Sequence, residues 1–323
     1  MTLLFGENRP IGHTLITGRL RRQYHTFMTD TKVKKEIDVR ESAHNGIPVV
    51  KLQNIAPFSA EKTFDCGQSF RFGKASDGAI EGVAHARFVR FIQNDPDSLI
   101  IENTTADEFE RLWRHYLGLD LDYSGITRRL LETPDADILA PAAKVAEGIR
   151  ILNQEPWECL CSFIVSQNNN IPRISKIIDS LCRECGERID TPWGEKFAFP
   201  TPEATASLGV DGLFALRTGF RAKYIYDAAR RVACGETDLE AIRALSTDEA
   251  AAELCKIHGV GIKVASCAML FSLEKYDAFP IDVWVRRLLE KYFPPDFDPK
   301  SFGEYAGVAE QYLFYYERYI VGR

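Results

Sequence analysis

No stretch of the chain approaches the ~18 consecutive apolar residues that a membrane-spanning helix needs, so a membrane partner is not expected. Positive charge is not in excess. The 40 Lys/Arg against 46 Asp/Glu leave a net charge of −6, which disfavours unspecific attraction to polyanions. Met1 to Asn8 turn polar too soon to read as a secretion signal. The eight cysteines are irregularly spaced, and without a secretory context they read as reduced thiols. The lone C-x-x-C, Cys182 and Cys185, has no second pair and no neighbouring His, whereas zinc needs four ligands at defined spacing. No repeat or low-complexity segment is present. What remains is ordinary: 45% apolar and 27% charged residues, the composition of a globular protein. A length of 323 residues suggests about two domains.

The charge is uneven. Residues 1–45 carry eight Lys/Arg and five Asp/Glu, a surplus of +3, which leaves −9 for residues 46–323. Any nucleic-acid surface must therefore be a local patch or use backbone amides. Residues 8–29 hold Arg9, Arg19, Arg21 and Arg22 and no acid, a faint likeness to a transit peptide. The plainer expectation for residues 1–45 is a flexible tail outside the fold, or translation begun upstream of a true start at Met28.

Residues 47–103 read as strands. Ile47–Ile55, Thr63–Phe72, Ala79–Gln93 and Leu99–Ile101 are rich in β-branched or aromatic residues. Asp77-Gly78 and Asn94-Asp95-Pro96 separate them as turns. Phe64, Cys66, Gln68, Phe70 and Phe72 alternate with polar residues, as on a sheet with one covered face. After Thr105 the period becomes helical: Phe109, Leu112, Trp113, Tyr116 and Leu117 share one face. Helical patterns continue to the C-terminus. The layout is α+β: an antiparallel β-sheet domain with accessory helices over 46–145, followed by an all-helical domain over 146–323.

The helical half contains the sharpest pattern. Ser246 and Glu249 form a capping box, predicting a helix from Thr247 to about Ile257. His258-Gly259-Val260-Gly261 breaks it, and a second helix follows from Ile262 to about Ser272. The two make a helix-hairpin-helix over 247–272. The amides of Gly259, Gly261 and the next helical turn converge, and such a nest at a helix N-terminus binds a phosphate without lysines. A tight helix–helix turn with no ligand remains the alternative on this motif alone. Lys263 sits just past the hairpin. Asp282, in Phe279-Pro280-Ile281-Asp282-Val283-Trp284, caps the next predicted helix.

A Lys beside such a hairpin, followed nineteen residues later by P-x-D-V, resembles the catalytic signature of the helix-hairpin-helix DNA glycosylases. Three further stretches narrow this to the 8-oxoguanine DNA glycosylase/AP lyase family. They are Leu152 to Cys159 with Ser162 to Ile174, Gly67-Gln68-Ser69-Phe70-Arg71, and Gly219-Phe220-Arg221-Ala222-Lys223-Tyr224. The resemblance covers roughly residues 46–323. Relatives that carry an iron–sulfur cluster place four cysteines after the Asp motif; no cysteine follows Cys267 here, which excludes that cluster.

The resemblance implies a bifunctional glycosylase acting on double-stranded DNA that contains an oxidised purine. Lys263 is then the nucleophile, and Asp282 supports positive charge at the sugar. Gly67 offers its carbonyl to the base, because 8-oxoguanine carries a hydrogen at N7 where guanine has an acceptor. Cys267 and Phe314 sandwich the base plane, and Glu310 or the adjacent Gln311 meets its edge. Asn168 fills the gap left by the flipped base, Arg173 and Arg221 read the orphaned partner, and Phe220 is a wedge where the family more often shows Tyr. Gly259, Val260 and Gly261 hold the phosphate. Trp284 stands where eukaryotic relatives tend to have His. No cofactor is needed; a structural cation at the hairpin would find no dedicated ligands. The expected form is a monomer, in the cytoplasm or nucleoid of a prokaryote or the nucleus of a eukaryote. The competing readings are a monofunctional alkylpurine glycosylase, which typically lacks the hairpin Lys, and a non-catalytic hairpin DNA binder.

Overall fold

The computed structural model describes residues 36–321. Six antiparallel strands form one sheet: β1 (Asp38–His44), β2 (Ile47–Gln53), β3 (Phe72–Lys74), β4 (Ile80–Ala84), β5 (Arg87–Ile92) and β6 (Ser98–Glu102). Their spatial order is β1-β2-β6-β5-β4-β3. Val50, Leu52, Val89, Phe91 and Ile101 project from it into a core closed by Phe64, Phe109 and Trp113. The helix predicted after Thr105 is present, started by a capping box between Thr105 and Glu108.

Five sequence expectations need correction. The described part of the 1–45 tail is not outside the fold: β1 pairs with β2 from Asp38↔Gln53 to His44↔Ile47. Its turn, Asn45-Gly46, has φ of 53° and 79°, the two positive values of a tight hairpin. The strand hid because it is an edge with charged side chains on both faces, which also discourages pairing with other chains. Residues 1–35 lie outside the described residues.

The alternation at Thr63–Phe72 is not a strand. Ala60–Phe64 is a short helix capped by Ser59, and only Phe72 begins a strand. The burial comes from crossing between cores. Gln68 donates to the carbonyls of Thr63 (2.9 Å) and Arg150 (2.8 Å) and accepts from the Leu152 amide (2.8 Å). Ala79–Gln93 is likewise two strands. They turn at His85-Ala86, both at positive φ, and the His85 amide is held by Glu155 (3.1 Å). That turn depends on tertiary contacts, so no turn residues announce it.

The C-terminal half is helical apart from one hairpin, β7 (Arg188–Thr191) and β8 (Gly194–Phe197). Trp193 at its tip packs on Phe88 of the sheet, with ring centroids 5.4 Å apart. Seven helices build the site: α1 (Pro156–Ser166), α2 (Ile171–Cys185), α3 (Ala222–Ala233), α4 (Thr247–Leu254), α5 (Ile262–Ser272), α6 (Val283–Tyr292) and α7 (Ala306–Tyr316). Tyr123, Ile126, Leu130, Leu139 and Ala142 join their core, so the helical unit begins well before residue 146. Among the described residues no helix is long and apolar enough to cross a membrane.

Candidate active site and nucleic-acid interface

The hairpin forms as its sequence predicts. Ser246 and Glu249 exchange both capping-box hydrogen bonds, at 3.4 and 3.0 Å, and α4 runs on from them. Gly259 sits at φ 83°, and a Cβ there would overlap the Tyr224 ring of α3. Asp227, also on α3, accepts the His258 amide at 2.9 Å. Val260 is buried and pins the turn to the core. Gly261 is the N-cap of α5 and supplies no capping side chain. A Cβ at Gly261 would meet nothing within 4 Å. The first amides of α5 therefore face open space with the positive end of the helix dipole behind them.

Lys263 lies in that first turn, with its Nζ 5.3 Å from the centroid of the buried Phe163 ring on α1. One turn on, Cys267 is buried. Burial pushes its thiol up to about 12 against the pull of Lys263, so it is a neutral wall and no competing nucleophile. Asp282 caps α6: its Oδ1 accepts the amides of Trp284 and Val285, each at 2.8 Å. Both capping bonds use Oδ1, and the charges of Asp282 and Lys263 both act on Cys267 and on Glu310. Ile262, Ile281 and Val283 are exposed apolar residues flanking Lys263 and Asp282. Sequence reasoning passed over this apolar rim, although its position beside Lys263 and Asp282 was a usable signal.

The opposite wall comes from α7 and the sheet-side loop. Phe314 ring atoms lie 3.5 and 3.6 Å from where a Gly67 Cβ would stand, and Gly67 has φ 81°. Any side chain at Gly67 would be strained by that φ, while its Cβ would only touch the ring. Glu310 and Gln311 differ in their partners. Gln311 donates to the Cys66 carbonyl at 3.0 Å and is spent on the scaffold. Glu310, one turn before Phe314, is buried and its Oε2 has no hydrogen-bond partner. Burial, with Asp282 adding to it and Lys263 opposing, pushes its carboxyl well above the usual range.

A second group surrounds the start of α2. Asn169 donates to the Val165 carbonyl (3.1 Å), and Asn170 caps α2 by accepting the Arg173 amide (3.0 Å). Asn168 is left exposed at φ 49°. Phe220 stands out at 49% exposure, and Arg173 is exposed too; burial, and then the charge of Arg173, lower the pKa of Arg221. Arg221 itself is placed differently from its neighbours. It is buried, donating to the carbonyls of Gln167 (2.8 Å), Asn168 (2.9 Å) and Thr218 (3.1 Å). Its guanidinium staples the 167–168 turn; its residue type alone gave no sign of this.

Known proteins match on both halves. Residues 50–160 fit the family model for the 8-oxoguanine DNA glycosylase N-terminal domain, and residues 161–301 that for the HhH-GPD superfamily of base excision DNA repair proteins. The structure of MBOgg1 in complex with a low-affinity DNA ligand is 40% identical, with TM-score 0.83, over 90% of this chain and all of that one. This chain belongs to the 8-oxoguanine DNA glycosylase family. Also similar is the Clostridium acetobutylicum 8-oxoguanine glycosylase/lyase bound to double-stranded DNA with cytosine opposite 8-oxoG, at 36% identity and TM-score 0.80 over 88% of this chain and 99% of that one. The N-glycosylase/DNA lyase OGG1 of Arabidopsis thaliana is 29% identical across 78% of this chain and 75% of its own length.

Proposed function

We propose that this protein is a DNA glycosylase with lyase activity that removes 8-oxoguanine from duplex DNA. The observation that carries the reading is the meeting of three features. An uncapped, open helix start presents Lys263; Asp282 caps the next helix with one oxygen to spare; and the buried Cys267 lies one turn past Lys263, with Gly67 against the buried Phe314 ring of α7. Duplex DNA lies across the hairpin, its backbone phosphate held by the first amides of α5. The lesion is extruded into the pocket, at an unstacking cost of a few kcal/mol. Asn168 and Phe220 occupy the space it leaves.

The amine of Lys263 attacks C1′ of the extruded nucleotide. The bond from C1′ to the base breaks, and the base leaves with the electron pair and takes up a proton. Asp282 stabilises the positive charge that develops on the sugar. Nζ gives up its protons as the C1′–O4′ bond opens, one of them going to O4′, and an Nζ=C1′ Schiff base results; a proton is then lost from C2′, and the C3′–O bond to the 3′ phosphate breaks. The Gly67 carbonyl selects the oxidised ring. It accepts a hydrogen bond from N7–H, whereas unmodified guanine would set an acceptor against it at a cost of ~1–3 kcal/mol.

Borohydride reduction during turnover on an 8-oxoguanine duplex tests this. A covalent adduct that disappears in Lys263→Gln is expected. Base release without an adduct would point to a monofunctional glycosylase; binding without release, to a DNA binder.

A further inference from the structure

The turn that delivers Phe220 carries two further side chains that the reaction above does not use. Phe214 is 62% exposed, more than Phe220 itself, and Arg217 is exposed as well. Arg217 stands at φ 63° and ψ 23°, a left-handed conformation that suits glycine and strains a long side chain. The surroundings impose it from both ends. Thr218 is buried and donates its hydroxyl to the Leu213 carbonyl at 2.8 Å, and Arg221 donates to the Thr218 carbonyl at 3.1 Å. Strain of this kind persists at positions where a side chain is held out for a ligand.

The 214–218 turn packs against α2, which adds charge of the same sign. Arg173 and Lys176 are exposed in the first turns of that helix. Among the described residues neither of them, nor Arg217, forms an ion pair, whereas Arg183 further along α2 meets Asp179 at 2.9 Å. In a chain of net charge −6, unpaired cations beside an exposed aromatic ring make a local basic patch. Its place on DNA follows from Phe220, which fills the gap left by the extruded nucleotide. Six residues of helical turn rise by about 12 Å at most, or three to four nucleotide steps of about 3.4 Å along a duplex. The hairpin that holds the damaged strand lies against Tyr224 and Asp227 of α3. The 214–218 turn lies instead against the helix that carries Arg173, the candidate reader of the orphaned base.

We propose that Phe214, Arg217 and Lys176 form a second DNA-binding site, which holds the backbone of the undamaged strand a few nucleotides from the orphaned base. Arg217 and Lys176 pair with phosphates, and the Phe214 ring covers the sugars between them. The two strands are then gripped by different chemistry, the damaged one by uncharged backbone amides and the undamaged one by side-chain cations. This rests on the glycosylase reading given above for which strand is which.

The test is equilibrium binding to a duplex with 8-oxoguanine opposite cytosine, in the Lys263→Gln background, from about 50 to about 250 mM salt. Arg217→Gly removes the cation and lets the backbone relax, so its melting temperature should not fall. Its binding should weaken by about tenfold at the lowest salt and about twofold at the highest, the slope of log affinity against log salt losing ~0.9. Lys176→Ala should change the slope in the same way. Phe214→Ala should weaken binding by one factor at every salt, since a ring displaces no counterion. Shortening the undamaged strand from the end that reaches the patch should weaken the parent and leave Arg217→Gly little changed. A parental slope in both cation variants overturns the proposal. So does a loss shared equally by parent and Arg217→Gly whichever end of that strand is shortened. If Arg217→Gly melts early, Arg217→Gln, which keeps the length without the charge, decides by the same slope. Base release with Lys263 restored separates the two readings. Slopes that change as expected without release of 8-oxoguanine leave the site and overturn the glycosylase; release with unchanged slopes does the reverse.

Discussion

Two buried carboxyls mark two kinds of interior. Glu158, at the seam between sheet and helices, receives Arg71 Nη1 at 3.2 Å, and Arg71 also donates to the Phe197 carbonyl. Around them the polar groups are matched. Arg150 donates to the carbonyls of Gly118 (2.8 Å), Leu121, Ile55 and Pro57 (each 3.3 Å), and the Gln154 side chain donates to the Gln68 carbonyl at 2.7 Å. Glu310 has no such company, and the first turn of α5 has no side-chain cap. An unmatched buried polar group costs ~1–3 kcal/mol, so the fold tolerates at the pocket what it has eliminated at the seam. Polar groups lacking a partner in the free protein are the ones available to a ligand.

If the pocket serves chemistry and the seam serves folding, substitutions should separate rate from stability. The largest effect belongs to Lys263→Gln. Loss of the nucleophile should lower base release by more than about a thousandfold and abolish the trapped adduct. Stability should stay within ~0.5 kcal/mol and damaged-DNA binding near wild type, because the contacts of Lys263 with Phe163 and Cys267 are ones that a glutamine can largely keep. An adduct surviving in this variant would place the nucleophile elsewhere. Next is Asp282→Asn. Asparagine caps about as well as aspartate, so both bonds from Oδ1 can persist while the charge is lost. A fall in turnover of roughly a hundredfold with an unchanged melting temperature is expected. Parallel losses of stability and rate would make Asp282 a cap and nothing more.

At the seam the expected observable is a pH slope. Burial raises Glu158 from 4.5 to about 7 despite Arg71. Between those values the folded protein holds a proton that the unfolded chain has released. Stability therefore falls as pH rises from about 4.5 to about 7, by at most about 3 kcal/mol from this group, and levels off above. The usual carboxylate effect has the opposite sign. Glu310 contributes in the same direction. Denaturant melts across this range should show Glu158→Gln with a shallower decline than wild type. An identical slope in the variant would mean that Arg71 holds Glu158 ionised throughout.

The hairpin was legible because its signals are local. Ser246, Glu249, Gly259 and Gly261 act on their own neighbours in the chain, and the bounds predicted from them hold to within a few residues. The sheet was legible in type and wrong in detail where partners are distant. Gln68 is buried by Arg150 and Leu152, far along the chain, so alternation around it mimicked a pleat. Strand β1 was missed because both its faces carry charged side chains, and the β7–β8 hairpin because its anchor, Trp193, packs on a strand a hundred residues earlier. For the site, residue types at motif positions identified the candidates. They could not tell Glu310 from Gln311, since that choice depends on which side chain the Cys66 carbonyl takes.

Arg173 and Arg221 repeat that contrast within one residue type. Arg221 is buried with its donors on the carbonyls of Gln167, Asn168 and Thr218, as a seam residue would be. Arg173 is exposed at the start of α2, with its guanidinium available to a ligand. A guanidinium has donors only, and an unpaired cytosine presents O2 and N3 as acceptors. Adenine at the same place also presents an amino donor, which would cost ~1–3 kcal/mol against the arginine. Wild type should therefore prefer 8-oxoguanine opposite C to 8-oxoguanine opposite A by roughly 5- to 150-fold. Arg173→Ala should narrow that ratio, mostly by slowing the C duplex. Arg221→Ala should release the turn that sets Asn168 at positive φ and slow all four opposite-base duplexes by similar factors. A panel of single-turnover rates opposite C, A, G and T decides between them. If Arg221→Ala narrows the ratio and Arg173→Ala does not, the guanidinium of Arg221 leaves its carbonyls on DNA binding and takes over the reading of the opposite base.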